Sequence, residues 1–89
     1  MLAIIEDRQH SGFLIKKVRF LSIGDIMPRH IHTGRGHLTI GIEGKVRSIV
    51  TNYDDVIMGK GGIVFWPIGT EHEWIALEAP SVIVNIFII

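Results

Sequence analysis

The chain is best read from Gly24-Asp25-Ile26-Met27-Pro28-Arg29-His30-Ile31-His32-Thr33-Gly34-Arg35-Gly36-His37-Leu38-Thr39-Ile40-Gly41-Ile42-Glu43-Gly44, which holds three of its five histidines. Pro28 restricts Met27 to an extended conformation, so a strand leads into His30. In a regular strand the imidazoles of His30 and His32 leave the same face, with Cα atoms about 6.5 Å apart. Thr33-Gly34-Arg35-Gly36 then reads as a turn, because glycine supplies the positive φ values that a tight reversal needs. If His37 opens the return strand of a hairpin, it lies nearly opposite His32, with Cβ atoms about 5 Å apart. Three converging neutral nitrogen donors suit zinc, iron, nickel, copper or manganese.

A fourth histidine follows the second glycine-rich stretch, Gly61-Gly62-Ile63-Val64-Phe65-Trp66-Pro67-Ile68-Gly69-Thr70-Glu71-His72. His72 comes just after a Pro-x-Gly turn and opens an apolar strand, Glu73 to Leu77. Only His10 is left outside this geometric idea, as a solvated loop residue.

These two stretches resemble the paired motifs of the cupin family. The first motif is a glycine, five residues, His-x-His, three or four residues, a glutamate, six residues and a glycine. Gly24, His30, His32 and Gly44 fall in register with it, and His37 stands where the family usually has its glutamate. The second is a glycine, five residues, Pro-x-Gly, two residues, a histidine, three residues and an asparagine. Gly61, Pro67, Gly69 and His72 match, and Ala76 replaces the asparagine. The resemblance implies a single-domain cupin over residues 1–89: an all-β jelly-roll barrel holding one divalent metal on His30, His32, His37 and His72. It also implies a function class, since small histidine-rich cupins include dioxygenases that cleave chelating oxygen substrates. A fold of this kind hosts many chemistries, so a non-redox isomerase or lyase and a non-catalytic metal or ligand-binding module stand beside the dioxygenase as alternatives.

Composition constrains the rest. A domain of 89 residues buries only about 60% of its unfolded surface, yet 47% of this chain is hydrophobic and its mean hydropathy is positive. The apolar surplus predicts a homodimer. Nine basic and nine acidic residues leave no net charge, and Lys16, Lys17 and Arg19 form too small a cluster for nucleic acid or anionic lipid. The absence of cysteine excludes disulfides and thiolate ligands. Charge at Glu6, Asp7 and Arg8 interrupts any N-terminal signal sequence, and no apolar run reaches the length of a membrane span, so a cytoplasmic protein is expected.

Along the chain, Leu2 to Ile5 reads as a short strand ended by Glu6-Asp7-Arg8, with a turn at His10-Ser11-Gly12. Phe13 to Ile23 reads as a strand on which Phe13, Ile15, Lys17, Arg19, Leu21 and Ile23 share one face. Lys17 and Arg19 are candidates for an anion-binding group if that face lines a cavity. Glu43-Gly44-Lys45 reads as a hairpin turn before Val46 to Thr51. Val56 to Met58, Ile63 to Trp66, and Ser81 to Ile89 complete the strands, and the last, apolar on both faces, is the expected dimer contact. His37, Thr39 and Gly41 share a face, as do His72, Trp74 and Ala76. Thr39, Phe65, Trp74, Asn85 and Phe87 are therefore the expected substrate wall, with Gly41 leaving space. Four imidazoles bring no negative charge, so a bound ion keeps its full charge and favours an anionic ligand in any open position. No carboxylate pair announces acid-base work: Glu71 and Glu73 point away from the face of His72.

Overall fold

The computed structural model describes residues 1–31 and 36–88. His32 and the turn expected at Thr33-Gly34-Arg35 lie outside them. Among the described residues every regular element is a strand: β1 (Ile4–His10), β2 (Phe13–Phe20), β3 (Ile26–Ile31), β4 (His37–Glu43), β5 (Lys45–Val50), β6 (Val56–Gly59), β7 (Ile63–Trp66), β8 (Glu71–Ala76) and β9 (Ser81–Ile88). They form two antiparallel sheets, a five-stranded one ordered β1-β2-β9-β4-β7 and a four-stranded one ordered β3-β8-β5-β6. The all-β architecture is as expected, but the described sheets are a sandwich, not closed into a barrel. No helix among the described residues is long and apolar enough to cross a membrane.

Strand alternation places the core. Val18 and Phe20 of β2, Val46 of β5, Trp74 and Ala76 of β8, and Ile83 of β9 are all essentially inaccessible and meet between the sheets. Their neighbours in sequence point outward, as a strand whose single inner face is buried requires.

Several boundaries differ from the sequence reading, each for a local reason. β1 runs through Glu6-Asp7-Arg8 because its charges find partners on β2: Lys16 Nζ lies 3.6 Å from Asp7 and Arg19 Nε 3.3 Å from Glu6. β2 stops at Phe20 rather than Ile23 because Asp25 Oδ2 accepts the backbone N–H groups of Leu21 and Ser22 at 3.1 and 3.0 Å and turns the chain. Neither expected hairpin around β4 forms. β3 and β4 belong to different sheets, as do β4 and β5, so both connections carry the chain across the sandwich. At the second crossing Gly44 adopts φ 72°, and a Cβ there would lie 2.2 Å from Ser81 Oγ. Gly41 likewise leaves no cavity: a Cβ would sit 2.0 Å from the Gly59 carbonyl oxygen, and the two glycine-containing segments pack backbone to backbone. β9, the expected dimer strand, is the central strand of its sheet, paired with β2 and β4. Only its outward face is free to meet another molecule.

Candidate metal centre

Three of the four predicted ligands can be placed, and they come from both sheets. His72 is on β8 and is fully buried, and its ladder partner across the β3–β8 pair is His30. The ladder slips between Met27 and His30, a bulge that falls on Pro28, which has no N–H to donate. In a regular strand residues three apart face opposite ways. The bulge turns both inward, Met27 to the core and His30 to His72. From the facing sheet, His37 enters at the first position of β4, 2% exposed, paired in register with Trp66 and Phe87.

The resulting cluster is tight. His30 Nε2 and His72 Nε2 are 3.0 Å apart, and the His37 and His72 ring centroids are 5.7 Å apart with planes at 85°. His30 Nδ1 lies 2.8 Å from the Pro28 carbonyl oxygen. A carbonyl only accepts, so this bond puts the His30 proton on Nδ1 and leaves the Nε2 lone pair aimed at His72. A ring held this way by a second partner is how proteins orient imidazole ligands.

Aromatic rings hold the other two imidazoles. Phe87 stacks on His37 at 4.5 Å and 21°. Trp66 meets His72 edge-on at 4.6 Å, and Trp74 lies 5.6 Å from it. Trp66 is in turn fixed by its indole N–H, which donates to Thr39 Oγ1 at 2.8 Å, while the Thr39 hydroxyl donates to Asn85 Oδ1. Of the expected substrate wall, then, Thr39, Asn85 and Trp74 are buried; the first two hold Trp66, and Phe87 backs His37. Phe65 is 61% exposed and lines an open cavity of about 330 Å³ with Tyr53, Trp66, Pro67 and Ile68. Trp66 joins the two regions, and sequence reasoning missed it. The available signal was strand parity, since in Ile63–Trp66 only Val64 and Trp66 share the inward face with His37.

The donor chemistry fits a divalent transition metal. Two nitrogens each about 2.1 Å from one ion stand about 3.0 Å apart when they are octahedral neighbours and about 3.4 Å apart in a tetrahedron. The His30–His72 separation matches the first value. Without an ion, the same distance serves an N–H···N bond from His72 to His30. Among the described residues no three His, Cys, Asp or Glu side chains form a ready-made metal-holding group, and His32 lies outside those residues.

On the outer face of the same strands the charges satisfy one another. Arg29 donates to Glu73 at 2.8 Å and to Glu71 at 3.2 Å, and the Thr51 hydroxyl donates to Glu71 at 2.6 Å. The bond from Thr51, followed by that from Arg29, holds the Glu71 carboxyl below the usual carboxylate range. Glu73 first, and then Glu71, hold the Arg29 guanidinium above its usual range. As expected, both glutamates turn away from His72.

The comparisons agree with this architecture. The Cupin domain family model matches residues 19–87. A cupin-2 domain-containing protein from Shewanella frigidimarina superposes with a TM-score of 0.79 at 18% identity, over 100% of this chain and 83% of its own. KdgF from a Halomonas species gives 0.79 at 18% identity, over 92% and 74%. The DMSP lyase DddQ from Ruegeria pomeroyi gives 0.83 at 15%, over 98% of this chain but only 47% of its own. No curated protein sequence matches the chain. The matched family model, the two-sheet sandwich and the inward histidines lead to one conclusion: the chain belongs to the cupin family.

Proposed function

We propose that the protein is a metal-dependent enzyme acting on a small molecule, with a divalent ion (Fe, Mn, Ni, Cu or Zn) held by His30, His32, His37 and His72. The observation that carries this reading is the 3.0 Å approach of the His30 and His72 Nε2 atoms, with His37 arriving from the opposite sheet. A bound ion would supply Lewis-acid polarisation and, if redox-active, electrons for oxygen chemistry. The chain's own residues do the rest. Pro28 fixes the His30 tautomer, and Phe87 and Trp66 keep water from two of the rings. Tyr53 and Phe65 present an open cavity beside Trp66. The resemblance to small histidine-rich cupins, which include dioxygenases, favours dioxygenation of a chelating oxygen substrate, and an ion held by neutral ligands keeps the charge to bind it.

A metal-dependent lyase or isomerase is the second reading. It is favoured by the similarity to a DMSP lyase. The homodimer belongs to the same proposal. The outer face of the five-stranded sheet exposes Ile4, Phe13, Leu38, Ile63 and Ile88, and a second copy would cover it.

The test is to load the protein with iron(II), manganese(II), nickel(II) or copper(II), supply β-diketones or enediols, and follow oxygen uptake. Uptake with at least one pairing is expected. Turnover without oxygen on the zinc form selects the lyase or isomerase. A metal-induced rise in thermal stability with no turnover selects a binding module.

A further inference from the structure

The open cavity of about 330 Å³ is lined from two turns. The first joins β5 to β6: the Tyr53 N–H donates to the Val50 carbonyl at 3.3 Å, and Asn52 takes a φ of 67°. The second joins β7 to β8: the Thr70 hydroxyl and N–H both donate to the Pro67 carbonyl, at 2.7 and 3.3 Å. Walls fastened by their own hydrogen bonds make a preformed cavity, and this volume suits a small molecule. None of the described histidines lines it.

The lining is aromatic and apolar, with a single charge. Tyr53 is 77% and Phe65 61% exposed, so both present apolar surface that the described chain leaves uncovered. The Phe65 ring is nevertheless held in place, packed on Gly36 so closely that a Cβ there would lie 2.7 Å from its Cζ. Trp66, itself buried, lines the same cavity. Among the described residues Asp54 is the only charged side chain in the lining. Its neighbour Asp55 is engaged by Arg47 at 3.8 Å, whereas no described side chain pairs with Asp54.

Aromatic rings attract a cation through their quadrupole, and a carboxylate beside them adds to that attraction and repels an anion. We propose that this cavity binds a small organic cation with an apolar body, a quaternary or aromatic ammonium. A neutral apolar molecule would leave the Asp54 carboxylate unused, and a hydrated inorganic ion would leave the rings unused. Scattered exposed aromatics on loops are ordinary surface, but here three rings and one acid converge on one cavity. The inference goes beyond the metal-centre reading and does not depend on it, because the cation is held whether or not the histidines carry an ion.

The experiment titrates the full chain with phenyltrimethylammonium, with its neutral isostere tert-butylbenzene and with benzenesulfonate, followed by NMR shifts of backbone amides and the Trp66 indole N–H. The cation is expected to bind about tenfold more tightly than the isostere, the scale of a cation–π contact plus a half-exposed ion pair. Its shifts should fall on Tyr53, Phe65 and Trp66, and benzenesulfonate should leave them unmoved. Asp54→Asn cuts the preference for the cation at least about threefold while tert-butylbenzene affinity holds, and Asp54→Glu keeps it. Phe65→Leu, which retains apolar bulk without a ring, also lowers the preference and provides the test if Asp54→Asn does not fold. A cation bound no more tightly than its isostere overturns the proposal, as does a preference untouched by both variants. Shifts confined to residues remote from the cavity overturn it too. Elemental analysis reads metal content separately, so each of these results leaves the metal centre to its own test.

Discussion

The two faces of β8 both carry ionisable side chains and treat them in opposite ways. Outward, Glu71 and Glu73 stay in partial contact with water and share Arg29, with Thr51 bonding Glu71. Inward, His72 is wholly buried among Trp66, Trp74 and the imidazoles of His30 and His37. The outer arrangement suits a sandwich surface, where exposed pairs add little stability. The inner one is costly in a domain this small, because polar groups taken from water must be compensated in place. Folding alone would be served better by leucine at position 72. The contrast is what makes the inner face the candidate site.

The largest effect expected from breaking this contrast is in His72→Ala. Metal affinity should fall more than about a hundredfold, beyond the range found when only an outer-shell partner of a ligand is lost, and the vacated space should lower stability by about 3 kcal/mol. Calorimetric metal titration and denaturant melts read the two effects separately. Thr39→Val is next. It strips the Trp66 N–H of its acceptor and Asn85 Oδ1 of its donor, both buried, for a loss of about 2–3 kcal/mol, with a weakened hold on His72 visible as a shift in tryptophan fluorescence. The outer face should respond much less. In Arg29→Ala the thermal midpoint should drop slightly at neutral pH. Because the Glu71 carboxyl is held low in the folded state, its contribution is present above the ordinary carboxylate pKa and disappears as pH falls through the folded value. The gap between variant and wild type should therefore close in acid, which a set of melts across pH would reveal. Smallest of all is Ser48→Ala. The Ser48 hydroxyl is buried without a hydrogen-bond partner among the described residues, so its removal should leave stability unchanged or raise it.

Alternation made much of this legible from sequence. The inward set His72, Trp74 and Ala76, the set His37 and Thr39, and the outward turn of Glu71 and Glu73 all follow from a period of two once the strands are recognised. What alternation cannot carry is a break in itself. The bulge at Pro28 reverses parity between Met27 and His30, so the inward pointing of both is invisible to a regular count. Sheet membership is equally hidden, because a short glycine-containing link can close a hairpin or cross a sandwich, and the links before and after β4 both cross. Charge misled in β1, where Glu6 and Asp7 looked like a strand end and proved to be cross-strand partners of β2. The outward turn of Lys17 and Arg19 depended on knowing which side of β2 is buried, which Val18 and Phe20 decide only once their partners are known.

The account depends most on the histidines acting together on one ion, and metal content in point variants measures that directly. Protein purified without an affinity tag or added metal, and its His30→Ala, His32→Ala, His37→Ala and His72→Ala forms, would be analysed for elemental composition beside His10→Ala. About one transition-metal ion per chain is predicted in wild type and His10→Ala, with none retained in the other four. A wild type that binds no ion even when metal is supplied, or equal metal in His10→Ala and His72→Ala, would contradict it.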